Sequence, residues 1–178
     1  RGDAIMRRAI LIFVAVLVVT GLASHLLVIR ALPTIIMNRG TAVIADLGVV
    51  PNQWFIAPRI TAENSAVVRA SPDLAYAVCL LDLTEGPVQI SAPGGPDYGS
   101  LSVFDDDTTN VFVRPLLENQ PVDILVHRAG ETIKLPPGAT AVALSSTRGI
   151  ALLRRLAPSQ ELYEAALGLM DQSRCGPR

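Results

Sequence analysis

Residues 75–91 read AYAVCLLDLTEGPVQIS, from Ala75 to Ser91. Two short apolar segments flank Thr84-Glu-Gly-Pro87. A glycine beside a proline is turn chemistry, because glycine reaches positive φ without a steric cost and proline fixes its own φ. The same pattern continues toward the C-terminus. YGSLSVF, NVFV, VDILVH, TAVALSS and IALLRRL follow in order, parted by Pro93-Gly-Gly-Pro-Asp97, Asp105-Asp-Asp107, Ala129-Gly130 and Pro136-Pro-Gly138. Apolar and polar residues alternate in Ser100–Phe104 and in Val122–Val126, as they do in strands with one buried face. Strands this short, at roughly 8–12-residue spacing, predict an antiparallel β-sandwich or barrel. No long helical segment separates them, which argues against a parallel α/β sheet.

Toward the N-terminus the pattern changes. Ala9–Ile29 carries no charged residue, and His25 is its first ionisable group. As a helix those residues span roughly 31 Å, close to a hydrocarbon core of about 30 Å. Two readings compete. Arg7 and Arg8, an apolar core and the small residues Gly21 and Ala23 fit a cleaved secretory signal. The run extends through His25–Ile29, however, beyond the usual core of about 7–15 residues, and this favours an uncleaved anchor. Arg7 and Arg8 before the run weakly favour a cytoplasmic N-terminus and an extracytoplasmic remainder. His25 near the end of the run reads as a neutral interfacial imidazole rather than a proton relay.

The expected organisation is a juxtamembrane segment (1–8), a transmembrane helix (9–30), an exit linker with a short helix (31–58), and a β-sandwich domain with a C-terminal helix (59–178). Pro33 is expected to end or kink the first helix. Thr41–Leu47 is expected to form a separate short helix stopped by Gly48 and Pro51. Trp54 fits equally a place in the headgroup belt and a plug at the edge of the domain core. At the other end, Ser159 is a candidate N-cap with Glu161 in the first turn. Leu162, Ala165, Ala166, Leu169 and Met170 then make an amphipathic stripe that packs on the sheet, and Gly176-Pro177 reads as the stop.

Composition narrows the function classes. The 178 residues carry a net charge of −1, so no strong field points to nucleic acid. Aromatics at 4% are too few for a base-stacking platform. Of 15 cationic residues only Lys134 is a lysine, which together with abundant Ala, Gly, Val and Pro suggests a GC-rich bacterial genome.

No catalytic set is legible. His127 is the only histidine outside the apolar run, and no G-x-S-x-G is present, so a Ser–His–Asp arrangement has no support. Asp105-Asp106-Asp107 lacks the alternating ligand spacing of a calcium loop and reads as a turn. Gly94-Gly95 lies between prolines with no helix after it and is not a phosphate loop. No cofactor and no metal site are expected. Arg59, Arg69, Asp73, Tyr76, Asp82, Tyr98 and Arg148 sit near predicted strand ends, and form either separate structural networks or the lining of one polar pocket.

The two cysteines carry more information. Cys79 lies inside an apolar strand and Cys175 just past the last helix. If that helix packs back on the sheet in an oxidising compartment, a Cys79–Cys175 disulfide closes a loop of nearly the whole domain. Without C-x-x-C spacing, a redox-active pair is not expected.

Several segments carry a resemblance to a bacterial family, domain of unknown function 1254. They are Ala57–Thr61, Val68–Tyr76, Cys79–Val88, Tyr98–Asp105, Thr109–Phe112 and Arg148–Arg154, in that order. The chain resembles most the short, single-pass inner-membrane members, which also tend to carry a cysteine near the C-terminus. The resemblance implies a β-sandwich with jelly-roll character and implies no established reaction. Members often have an aromatic residue where this chain has Gly99, which weakens any inference of an aromatic-lined pocket. A related paralogous subunit is an implied partner. The resulting expectation is a single-pass envelope protein of the bacterial inner membrane, with its domain in the periplasm. It would act as a non-catalytic accessory or interaction subunit whose partners are lipid and other membrane or envelope proteins, with no nucleic acid. The alternative is a small-molecule-binding module or cryptic enzyme with its pocket at the polar strand ends.

Overall fold

The computed structural model describes residues 2–61 and 70–178. It opens with one helix, α1, over Gly2–Asp46. This helix takes in the apolar run, passes Pro33, and absorbs most of the segment expected to form a separate short helix. Proline in a helix interior removes one backbone donor, here the partner of the Ile29 carbonyl, but it does not end α1. The helix stops where expected: Leu47 and Gly48 donate back to Ile44 and Ala45 at 3.1 and 2.9 Å, and Gly48 takes a φ of 84°. No α1 residue is buried, and its apolar side chains face outward all round, as in a span of lipid. It is the one helix among the described residues long and apolar enough to cross a membrane, a candidate anchor or signal sequence.

Nine strands follow among the described residues, and every short apolar segment quoted above from Ala75 onward is one of them. They are β1 (Phe55–Ile56), β2 (Leu74–Asp82), β3 (Val88–Ala92), β4 (Gly99–Asp105), β5 (Asn110–Pro115), β6 (Val122–Arg128), β7 (Thr140–Leu144), β8 (Arg148–Leu156) and β9 (Arg174–Pro177), with helix α2 (Gln160–Asp171) between the last two. One sheet has the order β1-β2-β8-β4-β5, the other β7-β6-β3-β9. The fold is therefore mainly β, two packed sheets with a helix at each end of the chain.

Alternation decides which side chains meet between the sheets. From the first sheet come Ala77, Cys79, Leu101, Val103, Ala151 and Leu153; from the second come Val88, Ile90, Ile124, Val126, Val142 and Leu144. Each large aliphatic side chain buried in this way contributes about 1.5–3 kcal/mol relative to exposure. Trp54 packs partly buried against the same core, so of its two readings the core plug holds.

Three features depart from the sequence reading. β1 already belongs to the first sheet, with Phe55 opposite Val78, so the sandwich starts before residue 59. β6 and β7 pair in parallel, Ile124 opposite Thr140 through Arg128 opposite Leu144. The chain reverses twice between them, near Gly130 and Gly138 at φ of 81° and 82°, and two reversals restore the original direction. Finally, Gly176-Pro177 is not the helix stop. α2 starts at the Ser159 cap as expected, with the Ser159 side chain accepting from the Leu162 N–H, but it ends at Gln172. Arg174–Pro177 then adds to the edge of β3, Ile90 opposite Cys175. An edge strand tolerates proline because its N–H needs no partner there. The α2 stripe does pack as expected: Ala166 and Met170 are buried in the core cluster.

The Cys79 and Cys175 sulfurs are bonded, with Cα atoms 6.6 Å apart and a sequence separation of 96. Replacing both cysteines by alanine should lower the unfolding free energy by about 2–5 kcal/mol, since the bond restricts the unfolded chain. Denaturant titration of the oxidised protein against the double variant checks this. Equal midpoints would remove the bond from the stability of the fold.

Candidate functional site

A groove of about 410 Å³ lies between the last turns of α1 and one end of the five-stranded sheet. Met37, Thr41 and Ala45 line it from the helix, and Leu80, Asp82, Asp106 and Arg148 from the sandwich. Thr41 keeps its hydroxyl on the helix, donating to the Met37 and Asn38 carbonyls at 3.0 Å each.

What holds the helix end against the sheet is Asn52. Its backbone N–H donates to the Leu80 carbonyl at 2.8 Å. Its side-chain amide donates to the Asp82 carbonyl at 2.8 Å and accepts from the Asp82 N–H at 2.9 Å. The amide thus pairs with β2 as one more strand residue would. Asn52 takes a φ of 59°, a left-handed conformation that asparagine enters more readily than most residues. The clamp's partner lies 30 residues away, so the local sequence offers one signal for it, an Asn after the Gly48 and Pro51 stop.

The Asp82 side chain turns back on its own loop. Its carboxylate accepts from the Thr84 backbone N–H at 2.9 Å and from the Thr84 hydroxyl at 2.5 Å. The Thr84 hydroxyl, then the Thr84 N–H and the nearby Arg148 charge, hold its pKa below the usual aspartate value against a small burial penalty. Asp105 closes the same end of the sandwich. It is buried, and its carboxylate accepts from the Asp106 and Ser145 N–H groups at 2.8 and 2.6 Å and from the Ser146 hydroxyl at 3.4 Å. The acidic triplet therefore forms the β4–β5 turn and ties the β7–β8 loop to it.

The remaining expected residues lie elsewhere. Asp82 pairs across strands with Arg148 at the start of β8, whereas Tyr98 accepts from the Leu156 N–H and Asp73 from the Ala157 N–H through their carbonyls. Those two ends of β8 stand about 26 Å apart at strand rise. Arg59 is at the far end too, donating to Gln160 Oε1 at 3.0 Å and to the Ala157 and Pro158 carbonyls at 3.4 and 3.3 Å, with its guanidinium 5.5 Å from the Tyr163 ring centroid. Tyr76 lies along β2 opposite Arg154, its hydroxyl accepting from the Ser71 N–H at 2.8 Å. The Tyr98 hydroxyl meets Ser100 Oγ at 3.3 Å. Arg69 falls outside the described residues. The described candidates therefore divide between the two ends of the sheet, and the groove beside α1 gathers only Asp82 and Arg148 of them. His127 sits at the end of β6 with Nδ1 3.0 Å from the Arg128 carbonyl.

The fold and this junction define a class: a two-sheet β-sandwich clamped to a long apolar helix that is a candidate membrane anchor or signal. Residues 51–177 match the family described as protein of unknown function (DUF1254), and the chain belongs to that family. Among solved structures it is similar to the VPA0106 protein of Vibrio parahaemolyticus, at 17% identity and a TM-score of 0.62, over 82% of this chain and 37% of that one. An uncharacterised protein from Burkholderia cenocepacia shares 13% identity with a TM-score of 0.41, over 61% of this chain and 31% of that one. The first similarity shows a shared fold, and the chain spans little more than a third of the Vibrio protein's length. No curated protein matches the chain.

Asn52→Ala should cost about 1–3 kcal/mol, from two side-chain hydrogen bonds at the β2 backbone and the strain of alanine at positive φ. Asn52→Gly should cost less, because it keeps the backbone and loses only the clamp. Both should speed proteolysis between α1 and β1, and an unchanged cleavage rate in Asn52→Ala would remove the clamp from the junction.

Asp82 adds a pH dependence. Its folded pKa lies below an unfolded value of about 3.9, so its contribution is complete above that value and is lost as pH falls through the folded pKa. Asp82→Asn should therefore flatten the acid limb of the stability curve and leave the curve's shape near neutrality unchanged. An unaltered acid limb would contradict this.

Proposed function

We propose that this protein is a single-pass component of the bacterial inner membrane, with a cytoplasmic N-terminus and a periplasmic sandwich. In this reading it serves as a non-catalytic accessory or interaction subunit of a larger membrane assembly. The observation that carries the reading is the junction. The apolar run belongs to a helix that continues to Asp46 and is then pinned to β2 by Asn52. A domain pinned to its own membrane helix suits a part that holds a fixed place beside neighbours in the bilayer.

Two further features support it. The Cys79–Cys175 bond suits an oxidising compartment such as the periplasm. The apolar residues of α1, among them Leu11, Leu17, Val19, Leu22 and Leu27, are more than half exposed, so lipid or partner helices would cover them. The proposed partners are accordingly lipid and other membrane or envelope proteins, including a paralogous subunit.

Alkaline phosphatase fused after Arg178 should be active in cells, since the enzyme needs the periplasm to form its own disulfides. Extraction of native membranes in mild detergent should then recover the protein together with other membrane proteins. An inactive fusion would place the domain in the cytoplasm and overturn the topology. A lone monomer after mild extraction would overturn the interaction role.

A further inference from the structure

The end of the sandwich remote from the α1 groove holds a buried cation. Strand β8 alternates, with Ala151 and Leu153 turned into the core, and the next inward position is Arg155. It is 3% exposed. A guanidinium presents five N–H donors and stays protonated in proteins. Here Nη2 donates to the Pro93 carbonyl at 2.6 Å, while Nε is buried with no hydrogen-bond partner among the described residues. Burial lowers its pKa by desolvation. A buried charge left in this way is costly unless an anion meets it.

The surroundings are shaped around that side chain. A Cβ on Gly95 would stand 3.0 Å from Arg155 Nη1, and one on Gly99 would stand 3.2 Å from it. Gly95 and Gly99 leave the volume the guanidinium uses. Beside it opens a cleft of about 140 Å³, walled by Tyr98, Leu162, Ala165 and Leu169, with Asp97 also on its lining. That volume resembles an apolar cavity of about 150 Å³ that admits a benzene-sized molecule.

We propose that the cleft between α2 and the 93–99 segment binds a small apolar monocarboxylate, with its carboxylate on Arg155 and its short hydrocarbon tail against Leu162, Ala165 and Leu169. The guanidinium lines the cleft and offers one carboxylate a charge-assisted hydrogen bond. The aliphatic wall selects a tail without further charge, so dicarboxylates and phosphates are disfavoured. This inference is independent of the membrane topology and of the interaction role proposed above.

The test uses the full chain in lipid nanodiscs, titrated with sodium butanoate, butan-1-ol and butylammonium chloride at matched ionic strength. A ligand of the folded state raises the unfolding midpoint in a saturable way. Butanoate should do so, and the other two should not. Arg155→Gln should weaken butanoate binding roughly tenfold or more, the loss of a charge-assisted pair. Ala165→Trp, at an exposed position of α2, should fill the cleft and abolish the butanoate shift with the guanidinium kept; it decides the matter if Arg155→Gln fails to fold. No saturable shift with butanoate, an equal shift with butan-1-ol, or an undiminished shift in Ala165→Trp would each overturn the proposal.

Discussion

The bond between Cys79 and Cys175 joins the two sheets across the core. Cys79 sits on β2 of the five-stranded sheet, and Cys175 on β9 at the edge of the four-stranded one. β9 has only four residues and includes a glycine and a proline, so its own pairing with β3 is weak support. The covalent link fixes its place, and with it the place of α2, which must run from the end of β8 to the start of β9. Ala166 and Met170 can then close the sandwich end. The cleft beside Arg155 exists only because α2 is held there.

At the opposite end the same task falls to side chains that imitate backbone. Asn52 pairs with both polar groups of the Asp82 main chain. Asp105 gathers the Ser145 and Asp106 N–H groups. Each satisfies buried or half-buried donors that would otherwise lack partners. Each also joins segments remote in sequence, the α1 exit to β2 and the β4–β5 turn to the β7–β8 loop. The groove beside α1 is the space left between these two tethers.

The strands were legible because their signal is local. In Ser100–Phe104 the alternation of small polar and apolar residues matches the pleat, and the turn residues on each side bound it. The α2 stripe and its Ser159 cap were legible for the same reason. β9 was not, since Arg174-Cys-Gly-Pro177 has neither alternation nor β-branched residues, and only the disulfide and the free edge of β3 make it a strand. The parallel β6–β7 pair needed the turns at Ala129-Gly130 and Pro136-Pro-Gly138 to be counted as two reversals, where antiparallel pairing was expected. α1 running through Pro33 shows propensity overridden, for the loss of one donor does not outweigh the apolar turns on either side. As for sites, the sequence placed seven polar residues near strand ends, but which end each occupies depends on strand pairing. Arg155 was readable after all, from its parity: it falls in step with Ala151 and Leu153, the inward positions of β8.

The length of α1 has a mechanical consequence. Its 45 residues make a rod of about 68 Å, of which the part beyond Ile29 adds about 25 Å before the Asn52 tether. With Ala9–Ile29 in a bilayer, the sandwich is the tip of a lever pivoting near the membrane midplane. A tilt of about 20°, ordinary for membrane helices, carries the helix end sideways by about 14 Å. The angle of one helix in the lipid is thereby converted into the position of a whole domain above it.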